Sequence, residues 1–145
     1  MPTTPVDDNL IFVYLVVGSV IEKDGKFLMV QEKKPFVRGL WNLPAGKAEK
    51  DFSLEENAIK EIKEETGFDA KIIREIAVYH NEGSPSVKHA FEAKITGGEV
   101  KIPQDEILDA KWYSWEEIKK LNKEHTIRDP WVFEAIKTYI ENNKK

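Results

Sequence analysis

The 145-residue chain contains no cysteine, which excludes disulfides and thiolate metal sites. No apolar run approaches the ~20 residues that a membrane span needs. The opening MPTTPVDDNL lacks a basic segment followed by an apolar one, so no secretory signal is expected and the cytoplasm is the default location. Basic blocks are missing as well, and the net charge is −4. A duplex-binding protein meets phosphates with a basic face, so a nucleic-acid polymer is not the expected partner. A small phosphorylated ligand is not excluded, because one metal ion can neutralise both the ligand and nearby carboxylates.

What is present is an ordinary globular balance, 41% hydrophobic and 33% charged, in a length suited to one domain over residues 1–145. No repeat, low-complexity segment or linker interrupts it. LIFVYLVVGSVIE (10–22) reads as a buried strand, KDGK (23–26) as an Asp-Gly turn, and FLMVQEK (27–33) as the hairpin partner. Residues 34–52 hold two prolines and two glycines and read as loop, with a short strand at Trp41–Leu43. Ser53 followed by Glu56 fits a capping box, which starts a helix from Leu54 to about Thr66, and Gly67 sits where a left-handed cap belongs. Two strands at 69–81 and 86–96 follow, then a loop at 97–110 running into KWYSW. Ser114 caps a helix at 115–122, and Asp129–Pro130 opens a last helix to about Asn142. This order predicts a mixed sheet with helices on both sides.

EIKEETG (61–67) crowds three glutamates into five positions. At about 100° per residue, Leu54, Ala58, Ile62 and Thr66 run down one side of the helix, with Ile59 beside them. Glu65 falls on the flank of that apolar stripe, stacked with Glu61 four residues away. Glu64 lies a step further round, while Glu56, Lys60 and Lys63 point away. Solvated glutamates belong opposite the stripe. Ionised carboxylates at the rim of a core are costly unless paired or metal-bound. Two readings stay open on the wheel alone: carboxylates sharing a hard cation, or glutamates paired to lysines elsewhere.

The wider segment GKAEKDFSLEENAIKEIKEETGF (46–68) resembles the Nudix box of the Nudix, or MutT-like, hydrolases. Seven of its nine specified positions match, namely Gly46, Glu61, Ile62, Glu64, Glu65, Gly67 and Phe68. The lead-in WNLPAG and the later DEILDAKW (105–112) also fit that family's layout. Two positions depart: Phe52 stands where a Glu is expected, and Lys60 where an Arg is. In the family that pair helps hold the loop of the box against its helix, and a guanidinium without its carboxylate has lost its partner. Phe52 is expected to fasten the loop by apolar packing instead, with Asp51 or Glu49 as substitutes.

The resemblance implies an α/β/α sandwich and hydrolysis of a diphosphate linkage in a nucleoside diphosphate derivative or nucleoside triphosphate. It implies Mg²⁺, with Mn²⁺ as the alternative, bound by Glu61, Glu64 and Glu65 together with the backbone carbonyl of Gly46. A further acid outside the box serves as general base or extra ligand in some members; Glu106 is the candidate here, with Asp105 second. The competing reading is a non-catalytic nucleotide-binding or regulatory domain, motivated by Phe52 and Lys60. An inert interaction domain is a third, and the retained glutamates argue against it.

Other signals carry less. GLWNLPAGKA (39–48) has six residues between its glycines and no Ser or Thr after Lys47, so it is not a Walker phosphate loop. His80, His89 and His125 lack metal spacing and read as structural or surface residues, although His80 with NEGSPS (81–86) is a weak candidate for a cleft wall. Trp41 and Trp112 read as packing residues. Arg38 is an ambiguous phosphate contact. Trp131, Phe133, Ile136 and Tyr139 form a core-facing stripe, a homodimer surface being the minority reading.

Overall fold

The computed structural model describes residues 8–144, so most of the N-terminal stretch read for a signal lies outside the described residues. Strand β1 (Tyr14–Lys23) turns through Asp24 and Gly25 into β2 (Lys26–Glu32). Both turn residues have positive φ, 52° and 79°, which is the hairpin geometry that an Asp-Gly pair favours. A short 3-10 turn at Pro35–Val37 leads to β3 (Trp41–Asn42) and β4 (Ala45–Lys47). Helix α1 (Leu54–Thr66) is followed by β5 (Phe68–Tyr79), β6 (Ser86–Gly98), β7 (Ile107–Ser114), α2 (Trp115–Lys123) and α3 (Pro130–Asn142).

The strands form one seven-stranded sheet in the order β3-β2-β1-β6-β5, with β4 on β1 and β7 on β2. β1 and β6 run parallel from Tyr14↔Ser86 to Ile21↔Ala93, whereas the other pairings are antiparallel. The sheet is therefore mixed. Alternation along β1 sends its side chains to two cores. Val17 meets Ala58 and Phe91, and Ile21 meets Ile62, Leu28 and Ala93, beneath α1. Val20 belongs to the other cluster, with Ile118 of α2 and Trp131, Val132, Ala135 and Ile136 of α3. Helices cover both faces, which makes the chain the expected α/β/α sandwich. Burying each such aliphatic side chain contributes about 1.5–3 kcal/mol.

Several expectations need correction. Residues 10–13 are not in the strand and are exposed (60, 83, 70 and 37%), because β6 offers a partner only from Ser86, opposite Tyr14. The loop expected over 97–110 gives way to β7 at Ile107, where β2 supplies a ladder down to Lys26↔Ser114. Strand β4 was not foreseen, since its three residues AGK carry no strand signature of their own. The last helix turns its stripe inward as expected: Trp131, Ile136 and Tyr139 are buried, and Phe133 stacks on Trp115 at 5.1 Å. Among the described residues, no helix is long and apolar enough to cross a membrane.

Candidate active site

Helix α1 forms as its end signals require. Ser53 Oγ accepts from the Glu56 N–H at 3.0 Å, and Glu56 Oε1 accepts from the Ser53 N–H at 2.9 Å. Gly67, at φ 84°, ends the helix with its N–H on the Lys63 carbonyl at 3.0 Å. The loop before the helix is fastened by a residue that the wheel did not single out. Asn57 is 1% exposed, accepts from the Glu49 N–H at 2.8 Å, and donates to the carbonyls of Glu49, Phe52 and Ser53 at 3.1, 3.3 and 2.9 Å.

The two departures from the box resolve together. Phe52 does not pack the loop down; it is 44% exposed, with Lys60 Nζ lying 5.7 Å from its ring centre. Lys60 reaches the Glu49 carboxylate instead, at 2.6 Å, and the Glu64 carboxylate at 3.2 Å. An ion pair still joins loop and helix, with its acid moved three residues along the chain. Glu49 thus stands in for the missing glutamate.

The glutamates occupy different environments. Glu65 is buried and takes one hydrogen bond, from the Ala45 N–H at 2.9 Å. Burial pushes its carboxyl well above the usual range, and although the Ala45 bond opposes this, Glu61, Glu32 and Glu106 push the same way. Glu61 is half-buried, and burial followed by the charge of Glu64 raises it to about 7. The backbone of β4 runs so close to Glu61 that a Cβ on Gly46 would collide with its carboxylate. Glu64 is exposed and tethered by Lys60. Glu106, anchored by its N–H on the Pro103 carbonyl at 3.0 Å, comes from the loop before β7.

A cavity of about 670 Å³ gathers Glu61, Glu64, Glu65, Glu106 and Gly46 on one wall set. Asp105 does not line it; neither do His80 and Arg38, whose guanidinium donates to the Lys33 carbonyl at 3.4 Å. Ser84, Pro85 and Ser86 do line it, so that loop is part of the cleft. Trp41 is a packing residue, edge-on to Tyr113 at 5.0 Å, and Trp112 packs against Phe68 at 6.5 Å. The sequence reading missed Glu32, Asn42, Lys47, Lys88, Arg128 and Asp129, all on the cavity wall. Only the strand pairing brings them there: Lys47 and Lys88 both register with Val16, from β4 and β6 respectively.

The donor set is chemically uniform. Carboxylates and a backbone carbonyl are hard oxygen ligands, suited to Mg²⁺ or Mn²⁺ and poor for soft metals. Among the described residues, no three His, Cys, Asp or Glu side chains converge closely enough to cage an ion by themselves. Mg²⁺ does not require such a cage, since it keeps several waters and commonly uses one or two carboxylates with substrate phosphates. Burial first, and neighbouring carboxylates after it, raise the Glu61 and Glu65 carboxyls, so a cation beside them would favour their ionised forms. The residues fit a divalent cation.

The sequence model of the NUDIX domain matches residues 14–134 of this chain. The chain belongs to the NUDIX family. It is 33% identical over 132 residues to phosphatase NudJ of Shigella boydii, a match covering 87% of this chain and 82% of that one. It is 35% identical over 95 residues to a putative 8-oxo-dGTP diphosphatase of Bacillus subtilis, covering 66% and 62%. A putative nudix hydrolase of Caenorhabditis elegans is 38% identical over 97 residues, but the match spans only 26% of that longer protein. Among solved structures, a NUDIX hydrolase from Nitrosomonas europaea superposes with a TM-score of 0.81 at 27% identity, covering 90% of each chain.

Proposed function

We propose that this NUDIX domain is a hydrolase that cleaves a diphosphate linkage in a nucleotide or nucleotide derivative, with Mg²⁺ or Mn²⁺ as cofactor. The observation that carries the reading is the meeting of Glu61, Glu64, Glu65 and Glu106 in one cavity, with the Gly46 backbone set against the Glu61 carboxylate. The names of the relatives support the phosphoanhydride chemistry and leave the compound open.

Glu61, Glu64 and Glu65, with the Gly46 carbonyl, would hold the cation. When bound, the cation offsets phosphate charge and lowers the pKa of a water. The chain's own residues supply the rest. The Ala45 N–H fixes one Glu65 oxygen, and the carboxylate so held would serve as a ligand of the cation. Lys60 holds Glu64 in place through a contact that also secures the loop. Glu106 would take the proton that water loses as its oxygen bonds to phosphorus; the bridging P–O bond would break, and its electron pair would leave with the departing phosphate. Lys47, Lys88 and Arg128 line the cavity and can meet the remaining phosphate charge.

The non-catalytic reading rested on Phe52 and Lys60. Because the Glu49–Lys60 pair and Asn57 fasten the loop without the usual residues, those departures do not argue for lost catalysis. The deciding experiment is product formation from a panel of nucleoside diphosphate derivatives and nucleoside triphosphates with Mg²⁺, comparing wild type with Glu65→Gln. Cleavage by wild type and a drop of at least ~10³-fold in the mutant is the expected result, since the amide keeps the shape and removes the charge. Binding without turnover in either protein would hand the site to the regulatory reading.

A further inference from the structure

Glu106 stands on a segment that has no packing of its own. The ladder between β2 and β7 ends at Glu32↔Ile107, after a register shift between Gln31 and Glu32. Ile107 is 3% exposed, but none of residues 99–106 is buried. The segment also walls a second cavity of about 560 Å³, so open space rather than a core lies beside it. A stretch with few buried contacts opens easily unless hydrogen bonds restrain it.

Those bonds are present, and they divide into two kinds. At the near end the Lys101 N–H donates to the Thr66 carbonyl at 2.8 Å, on the last turn of α1. Gly67 makes room for this, because a Cβ there would collide with the Glu99 carbonyl oxygen. At the far end the Glu106 and Ile107 N–H groups share the Pro103 carbonyl at 3.0 and 2.9 Å. These backbone bonds close a turn over 103–107 without fixing where its crest stands. A side chain from β2's end does that: Lys33 Nζ donates to the Gln104 carbonyl, within the turn. Among the described residues, no other side chain hydrogen-bonds to 99–106.

We infer that Lys33 is a positioning residue, holding the 103–107 turn so that the Glu106 carboxylate stays in the cavity it shares with Glu61 and Glu65. The inference rests on the reading of Glu106 as general base. Lys33 does not itself line that cavity, so it acts only through the turn. It follows directly on Glu32, where the ladder stops, and its ammonium spans the gap that the strand pairing leaves beside Glu106. A surface hydrogen bond of this kind contributes little to stability. A displacement of about 1 Å at a reacting group, by contrast, commonly costs ~10²-fold in rate. Lys33 therefore matters to turnover and hardly to folding.

The test uses Lys33→Met, which keeps the length of the side chain and removes the donor, with Lys33→Arg as the conservative variant. Amide hydrogen exchange of the full chain in MgCl₂ needs no substrate. It should quicken at least about fivefold at Glu106 and Ile107 in Lys33→Met, with Tm within about 2 °C of wild type. For the nucleotide cleaved fastest in the panel above, kcat should fall about 10–100-fold with KM little changed. Lys33→Arg should recover most of both effects, since a guanidinium can still donate to the carbonyl. In a Glu106→Gln background, Lys33→Met should cost almost nothing further. Unchanged exchange at 106 and 107, or a Lys33→Met loss that adds in full to that of Glu106→Gln, overturns the inference. Faster exchange with full turnover by Glu106→Gln, or with no turnover by any variant or wild type, would instead sink the catalytic reading of Glu106 and leave the tether standing.

Discussion

Lys60 Nζ lies 2.6 Å from the Glu49 carboxylate and 3.2 Å from that of Glu64, so one ammonium joins the loop of the box to a glutamate of the site. The Lys60 and Glu49 side chains are 33% and 57% exposed. Exposed pairs of this kind contribute little to global stability. Their value here is positional. Lys60→Met should leave the thermal midpoint nearly unchanged while weakening Mg²⁺ activation of turnover several-fold. A Mg²⁺ titration of activity checks it, and Lys60→Arg should restore most of the loss because Glu49 can accept a guanidinium.

Asn57 should behave in the opposite way. It is fully buried and satisfies four backbone groups of the loop and helix start. Asn57→Ala removes its side chain and leaves several of those groups unpaired, so urea unfolding should report a loss of about 2–4 kcal/mol. A change under about 1 kcal/mol would mean that the loop finds other partners.

Gly46→Ala separates fold from function at a single methyl group. The added Cβ collides with the Glu61 carboxylate, the movable end of a side chain, so the backbone can stay and the carboxylate must leave. Displacing a group at the reacting centre by about 1 Å commonly costs ~10²-fold in rate. Steady-state kinetics beside a melting curve would show a large fall in kcat with a small shift in Tm.

Glu61 predicts a pH dependence of stability in the metal-free protein. Its carboxyl sits at about 7 in the folded chain against an ordinary value of 4.5. Below 4.5 both folded and unfolded chains hold the proton, and no penalty exists. As pH rises from 4.5 towards 7, the unfolded chain gives the proton up while the folded one keeps it, so stability falls across that window and then levels. Denaturant midpoints measured with EDTA from acid to neutral pH should show this slope, reduced in Glu61→Gln. An unchanged slope in the mutant would place the effect on Glu65 alone.

Helix α1 was readable residue by residue, because both of its ends are local chemistry: Ser53 with Glu56 at one end, a left-handed Gly67 at the other. The hairpin turn at Asp24–Gly25 was readable for the same reason. Strand limits were not. Leu10 to Val13 are as apolar as any core strand and lie exposed for want of a neighbour, while Ala45–Lys47 has no strand character and is a strand because β1 pairs with it. Phe52 was assigned to packing by its type, and solvent exposure overrode that assignment.

The same division runs through the site. Spacing alone put Glu61, Glu64 and Glu65 on one helix turn, since a helix repeats its faces every 3.6 residues whatever surrounds it. The rest of the cavity comes from β1, β2, β3, β4, β6 and the segments before β7 and α3, and no sequence interval links Glu32 to Asp129 or Lys47 to Lys88. Local periodicity determined which glutamates share one turn of α1 at the candidate site. Long-range pairing of strands decided what stands opposite them, because a ladder's register depends on two segments at once and neither one encodes it alone.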